Sequence, residues 1–429
     1  MVEDGNGGAI IAWNDWRNGN RDIYAQKIDS SGNILWTANG VAVAVKSNHQ
    51  QDAKLIGDGA GGAIIVWQDS SVSEFDIYAQ RISNTGTAMW TAGGVIICNA
   101  ISAQINPRME IDNSGGAIIT WQDKRNGLDY DIYAQRINSS GAFQWAANGV
   151  VVCNAAGTQS NPKIEPDGLG GAYIGWQDKR NGNYDIYANR INPTGAVIWF
   201  TNGWGVSVES GNQSAVDMTS DGVSGVFFTW KDNRNGTFDI YYQRADMNGA
   251  MQFSVGGNSV FLAAFDQINP NIVGDGVGGA IIVWQDSSAG NWDVKSQRVD
   301  ASGIQQWILG GVSVGTAANS QTSPKSVSDG SGGCIYTWQD KRNTLNFDVY
   351  AHRILSTGVS AEIQESTIYF ASKVFPNPFS SSAVIEINSQ NIKDTKFSVY
   401  DLLGGKVEMP FVVSQNGINI SRGNLQHGI

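Results

Sequence analysis

Seven times along this chain a tryptophan and, two residues later, an aspartate close a short apolar run. The pairs are Trp13/Asp15, Trp67/Asp69, Trp121/Asp123, Trp176/Asp178, Trp230/Asp232, Trp284/Asp286 and Trp338/Asp340. Successive tryptophans stand 54, 54, 55, 54, 54 and 54 residues apart. So steady a period marks one supersecondary unit copied in series. Within each unit, short runs of β-branched and aromatic residues alternate with clusters of Gly, Asn, Asp, Ser and Pro, which predicts four strands joined by turns. No stretch spaces its apolar residues as a helix does.

The strand that ends on the tryptophan is apolar on both faces. In Ala63–Asp69, Ala63, Ile65 and Trp67 share one face, and Ile64 and Val66 the other. Both faces therefore need cover, which a ring of radially packed sheets provides. The expected fold is all-β, a seven-bladed β-propeller over residues 1–362. An open β-solenoid would need polar end caps. The outermost units here look like the middle ones, which favours closure, and eight blades in a longer parent chain would also satisfy the pattern. Both ends of the repeat look cut. Val2-Glu3-Asp4-Gly5 matches only the tail of the first strand elsewhere, as in Ile56-Gly57-Asp58-Gly59. The seventh unit lacks the tryptophan found after the third strand at Trp36, Trp90, Trp145, Trp199 and Trp307. Upstream residues, an export signal among them, are expected to be absent from this sequence.

Composition narrows the function. Lys and Arg number 28 against 39 Asp and Glu, a formal charge of −11 without a basic cluster, which argues against nucleic acid as a partner. No apolar run approaches the roughly 20 residues of a membrane helix. Cys98, Cys153 and Cys334 are an odd number. The first two occupy matching places in adjacent units, whose sheets pack ~10 Å apart, beyond the ~7 Å reach of a bridge. All three are expected to be free and buried. No Cys/His spacing fits a metal site, and no cofactor is expected.

From residue 373 the period gives way to a different pattern, after a linker at 363–372. Lys373-Val374-Phe375-Pro376-Asn377-Pro378-Phe379 is followed by Ala383-Val384-Ile385-Glu386-Ile387 and by Val399-Tyr400-Asp401-Leu402-Leu403-Gly404-Gly405-Lys406-Val407. Asn416-Gly417 and Leu425-Gln426-His427-Gly428-Ile429 complete it. These residues resemble the C-terminal sorting domain of type IX secretion. Pro376, Asn377, Pro378, Phe379, Tyr400, Asp401, Gly404 and Gly428 carry the match. The resemblance implies a small Ig-like β-sandwich over 373–429, a Bacteroidota-type bacterium and the secretion machinery as partner. It also implies an extracellular or outer-membrane-surface location. Members of that family run on past the Gly-Ile pair, so the sandwich is expected to be incomplete here. The repeats also resemble the propeller repeats of bacterial surface proteins, including the Asp-box type. Ser30 stands where an Asp box has its aspartate, and Trp36 falls one place late, so no sialidase residue is carried across.

Residues that recur in every unit usually hold the unit together. The Trp-x-Asp aspartates are expected to pair with the base after each third strand: Lys27, Arg81, Arg136, Arg190, Arg244, Arg298 and Arg353. Asp-Gly-x-Gly-Gly, as at Asp58-Gly59-Ala60-Gly61-Gly62, reads as a turn that needs positive φ. The loop between second and third strands offers more. Arg17, Arg125, Arg180, Arg234 and Arg342 stand there, each followed by Asn, whereas units two and six have Ser70-Ser71 and Ser287-Ser288. Aromatics including Tyr130, Tyr184 and Trp292 close the same loop. Guanidinium and aromatic groups on one face of the ring match a carboxylate or a sugar. The alternative is that each Arg bridges its own blade's Asp22, Asp131, Asp185, Asp239 or Asp348. Glu110 and Glu165 fall on innermost strands, where they form a possible carboxylate pair facing the channel.

The sequence thus reads as a secreted or surface scaffold, expected to be monomeric, that binds glycan or protein rather than transforming it. The alternative is an extracellular polysaccharide-acting hydrolase. An enzyme would break the repetition at one deep spot with unique charged residues.

Overall fold

The computed structural model describes residues 1–70, 74–344 and 346–361, and then 373–375, 382–386, 399–400, 406–407, 410–414 and 417–421. The chain divides into two compact units, Met1–Ala361 and Glu362–Ile429.

The first unit is a seven-bladed β-propeller. Blade three shows the plan: Gln104–Ile111, Ala117–Asp123, Asp131–Ile137 and Val150–Cys153 pair in sequence order as an antiparallel sheet. First strands of neighbouring blades meet one another, so they line the axis. Strands two and three pair without interruption from Ala117↔Ile137 to Asp123↔Asp131. The first strand carries a bulge, with Asn106 at φ 57° and a shift of register opposite Thr120 and Gln122, the local bend a bulge produces. The long fourth strand that the sequence implies is divided. Ile137 makes a single bridge to Phe143, Trp145 follows, and pairing resumes only at Val150.

Six apolar cores join the seven blades. Between blades two and three, Ile64, Val66 and Ile97 pack on Ile119, Trp121 and Tyr133; the other five repeat that arrangement. The repeat tryptophans of blades two to six are wholly buried. Among the described residues, no apolar core joins blade seven to blade one. Ile335 and Val349 on the outer face of blade seven are 40% and 77% exposed, and on blade one Ala9, Ile11 and Trp13 are only half-buried. Among the described residues, the closure favoured by sequence is not seen: blade one shows two residues of its first strand, Val2–Glu3, where other first strands have eight, and blade seven shows three strands.

In the second unit, Lys373–Phe375, Ser382–Glu386, Gly417–Ser421 and Phe411–Ser414 pair in that order, and Val399–Tyr400 pairs with Lys406–Val407. These are two antiparallel sheets, with Ile418 and Ile420 buried. Of the sorting-motif residues, Tyr400 falls on a described strand. Pro376, Asn377, Pro378, Phe379, Asp401, Gly404 and Gly428 lie outside the described residues.

Candidate functional site

The Trp-x-Asp aspartates are tied, but to other bases than the repeat pattern implied. In blade three the Trp121 indole N–H donates to Asp123 Oδ2 at 2.8 Å, and Arg125 gives Nε to Oδ1 at 2.8 Å and Nη2 to Oδ2 at 2.6 Å. The same guanidinium lies 3.8 Å over the Tyr133 ring, which stacks on Trp121. Trp, Asp, Arg and Tyr thus close a circuit within the blade. Arg17, Arg180 and Arg342 hold Asp15, Asp178 and Asp340 with the same two-point grip. Arg234 holds Asp232 through Nη2. The Arg342 fork is the main cause that pushes the Asp340 carboxyl down to about 2. Blades two and six, where serine replaces the arginine, use lysines instead: Lys46, just past the fourth strand of blade one, reaches Asp69 at 2.7 Å, and Lys295 on blade six's third strand reaches Asp286 at 3.4 Å.

The bases after the third strands serve the other recurring acid. Arg136 pairs with Asp112 of the Asp-Gly-x-Gly-Gly turn at 3.0 Å and donates Nη1 to the Pro193 carbonyl of the next blade at 3.2 Å. Arg81, Arg190, Arg244 and Arg298 repeat this with Asp58, Asp167, Asp221 and Asp275, and each reaches a carbonyl on the following blade. Lys27 does the same through Asp4 and the Gly61 carbonyl. Arg353 pairs with Asp329 and is 47% exposed. The turn glycines have positive φ, as expected, at 74° for Gly59 and 79° for Gly61.

The loop-face arginines therefore grip the aspartates of their own blades, and Arg125, Arg180 and Arg234 also reach Cys98, Cys153 and Ser207 of the preceding blades. Asp22, Asp131, Asp185 and Asp348 take amide donors instead, from Asn18, Asn126, Asn181 and Asn343. Tyr130, Tyr184 and Trp292 remain partly exposed on that face, with Lys124 and Lys179 beside the two tyrosine rings. Cys98, Cys153 and Cys334 are free and buried, and burial pushes the first two thiols up to about 12.

The repetition breaks inside the channel. The fifth residue of successive first strands, from blade two, is Lys54, Arg108, Lys163, Asp217, Asn271 and Lys325. The seventh is Ile56, Glu110, Glu165, Thr219, Val273 and Val327. Only blades three and four carry acids at the seventh position. Loss of hydration raises Glu110 from 4.5 to about 7. Glu165 rises to about 8, through loss of hydration first and then the charge of Glu110, although Ser220 N donates to its Oε2 at 3.1 Å. A cavity of ≈ 850 Å³ opens at the Asp-Gly ends of the first strands of blades one to three, with Glu3, Asp58, Glu110 and Asn113 on its wall. This is the opposite end of the first strands from the Arg-Asn loops, because Gln104, not Glu110, stands opposite Asp123. Sequence reasoning singled out the two glutamates but passed over Lys54, Arg108, Lys163 and Asp217. Aligning the fifth residue of each first strand would have found them.

Residues 373–429 match the family model described as the secretion system C-terminal sorting domain. That segment is a secretion sorting domain. It assigns the chain to the cell surface or the extracellular space, and it makes the secretion system a partner. No helix among the described residues is long and apolar enough to cross a membrane. No curated relative matches the chain. Similar solved structures include an ulvan lyase of a new polysaccharide lyase family, bound to saccharide. It is 8% identical, with 83% of this chain and 92% of that one covered and a TM-score of 0.50. An α-L-arabinanase of Penicillium chrysogenum is 12% identical over 72% of this chain and 94% of that one, with a TM-score of 0.43. A puromycin-hydrolysing peptidase of Mycobacterium tuberculosis is 10% identical over 85% of this chain and 55% of that one, with a TM-score of 0.47. At these identities the likeness is one of fold.

Proposed function

We propose that this secreted propeller acts on extracellular polysaccharide at the mouth of its channel, with Glu110 and Glu165 as the proton-exchanging pair. The observation that carries this reading is the break in the repeat: two adjacent blades alone carry carboxyls at the seventh position, both shifted toward neutrality. General acid–base catalysis works best when the group's pKa lies near the working pH. Glu165 holds its proton to higher pH and is the one proposed to protonate the oxygen of the leaving sugar. Glu110 ionises first and is the one proposed to take a proton from the attacking water. The two titrate as a coupled pair, so rate should peak between their apparent values and fall on either side. The ulvan lyase that shares the fold was solved with saccharide bound, which supports a glycan as the ligand class.

A second reading keeps the glycan and removes the turnover. Tyr130, Tyr184 and Trp292 stay partly exposed on the opposite face, where aromatic rings are suited to stack on sugars. Release of reducing ends from a panel of neutral and acidic polysaccharides by the full chain separates the two. The hydrolase reading expects turnover by wild type that Glu165→Gln and Glu110→Gln each abolish while the melting transition is kept. Binding without release of reducing ends establishes the scaffold instead, and neither binding nor release overturns both.

A further inference from the structure

Among the described residues, polar side chains at the fifth and sixth positions of the first strands join several blades across the channel wall. Lys163 Nζ meets Asp217 Oδ1 at 2.7 Å, Asn271 Nδ2 meets Asp217 Oδ2 at 2.6 Å, and Ser326 Oγ donates to Asn271 Oδ1 at 2.7 Å. These bonds link the first strands of blades four to seven. In blade two, Lys54 pairs with Asp52. Lys325 on blade seven is exposed to water.

Arg108 fits neither pattern. It is half-buried. Among the described residues, its guanidinium donates one hydrogen bond, from Nη1 to the neighbouring Pro107 carbonyl at 2.7 Å, and no carboxylate lies within ion-pair distance. Loss of hydration pulls its pKa down, while the charges of Asp52 and Asp217 hold it up. A guanidinium has five N–H donors in a planar fork, and withdrawing an unpaired charge from water is costly. Glu110 follows two places along the same strand and so points to the same side, ~7 Å away at the strand's rise. Lys54 and Lys163 stand at the matching position on the two flanking blades. The chain as a whole carries −11, so its net charge would repel an anion, and any attraction at this spot must come from these local cations.

We propose that Arg108 is the subsite for an anionic group of the saccharide, a carboxylate or a sulfate ester, gripped by the open side of its fork. The substrate class is then an acidic polysaccharide. This rests on the channel being the working site.

Phenylglyoxal modification of the full chain, mapped by mass spectrometry, tests it with glucuronate, glucose 6-sulfate and glucose as probes. Arg108 should react faster than the tied Arg125 and Arg180. Either charged sugar, but not glucose, should slow its modification, and which one protects identifies the anion. Calorimetry should show Arg108→Gln weakening the protecting sugar about tenfold, the size of one charge-assisted hydrogen bond, with Arg108→Lys retaining part of the affinity. Equal protection by glucose, protection by no sugar, or unchanged affinity in Arg108→Gln overturns the assignment. Protection needs no turnover. Charged-sugar protection without hydrolysis would therefore sink the catalytic reading alone, and hydrolysis of a neutral glycan without protection would sink the subsite alone.

Discussion

Trp121 illustrates how much one side chain carries in this fold. It is wholly buried between blades two and three, donates its indole N–H to Asp123, and stacks on Tyr133. Trp121→Ala should cost about 3–5 kcal/mol, the usual loss for a buried large aromatic. Trp13 makes the same internal contacts at 2.9 Å to Asp15 and in a stack on Tyr24, but its outer face has no packed neighbouring blade. Trp13→Ala should therefore cost clearly less than Trp121→Ala in parallel urea titrations, and equal costs would imply a closed ring in solution. Glu110 and Glu165 have a linked effect on stability. Their folded-state pKa values lie above the ordinary 4.5, at about 7 and about 8. Between those limits the folded chain binds more protons than the unfolded chain, so these two groups make stability fall as pH rises. The double variant Glu110→Gln, Glu165→Gln should lose stability less steeply than wild type from pH 4.5 to about 8, measured by urea midpoints at each pH. At this scale the sequence showed which residues matter and mispaired them. Two acids and two bases recur with one period, and a period says nothing of which acid meets which base. Asp123 meets Arg125 two residues on, and Asp112 meets Arg136 from across the blade.

Blades two, three, four and six are each held to the next by a latch of two parts. In blade two, Arg81 reaches the Ser139 carbonyl at 3.1 Å, and Trp90 donates its indole N–H to the same carbonyl at 3.1 Å. The Trp90 ring also covers Gly141, where an added Cβ would meet it at 2.9 Å. Gly32 holds the same turn position in blade one at nearly the same φ, 83° against 82°, yet nothing lies within 4 Å of a Cβ there. Gly141→Ala and Gly32→Ala thus pay the same backbone strain, and only the first also displaces a tryptophan. Gly141→Ala should lower the melting temperature more than Gly32→Ala, and equal shifts would show that a ring covers Gly32 too. Strand number and order were legible because both faces of the second strand are apolar and glycine clusters mark the turns. Closure was not legible. Unit one repeats the motif of the others, and nothing in that repetition shows that, among the described residues, Ile335 and Val349 of blade seven stay exposed.

For the whole molecule, the propeller repeats what stabilises it and varies what its channel presents. The tied arginines of the Arg-Asn loops were the conspicuous candidates because they recur, and they recur because they are structural. Glu110 and Glu165 stand out in a linear reading as channel-facing acids, but Arg108 does not, since a single departure within an eight-residue strand looks like ordinary variation until the strands are set side by side around the axis. A sorting domain brings this chain to the cell surface or the extracellular space, where the proposal above has it meet polysaccharide. The central claim is that the channel keeps two carboxyls that exchange protons near neutral pH. Carboxyl carbon NMR on the labelled full chain measures this directly, with Glu110→Gln and Glu165→Gln assigning the two resonances. The account predicts midpoints near 7 for Glu110 and near 8 for Glu165, the latter falling in Glu110→Gln as the neighbouring charge is removed. Midpoints for both in the ordinary carboxylate range would contradict it.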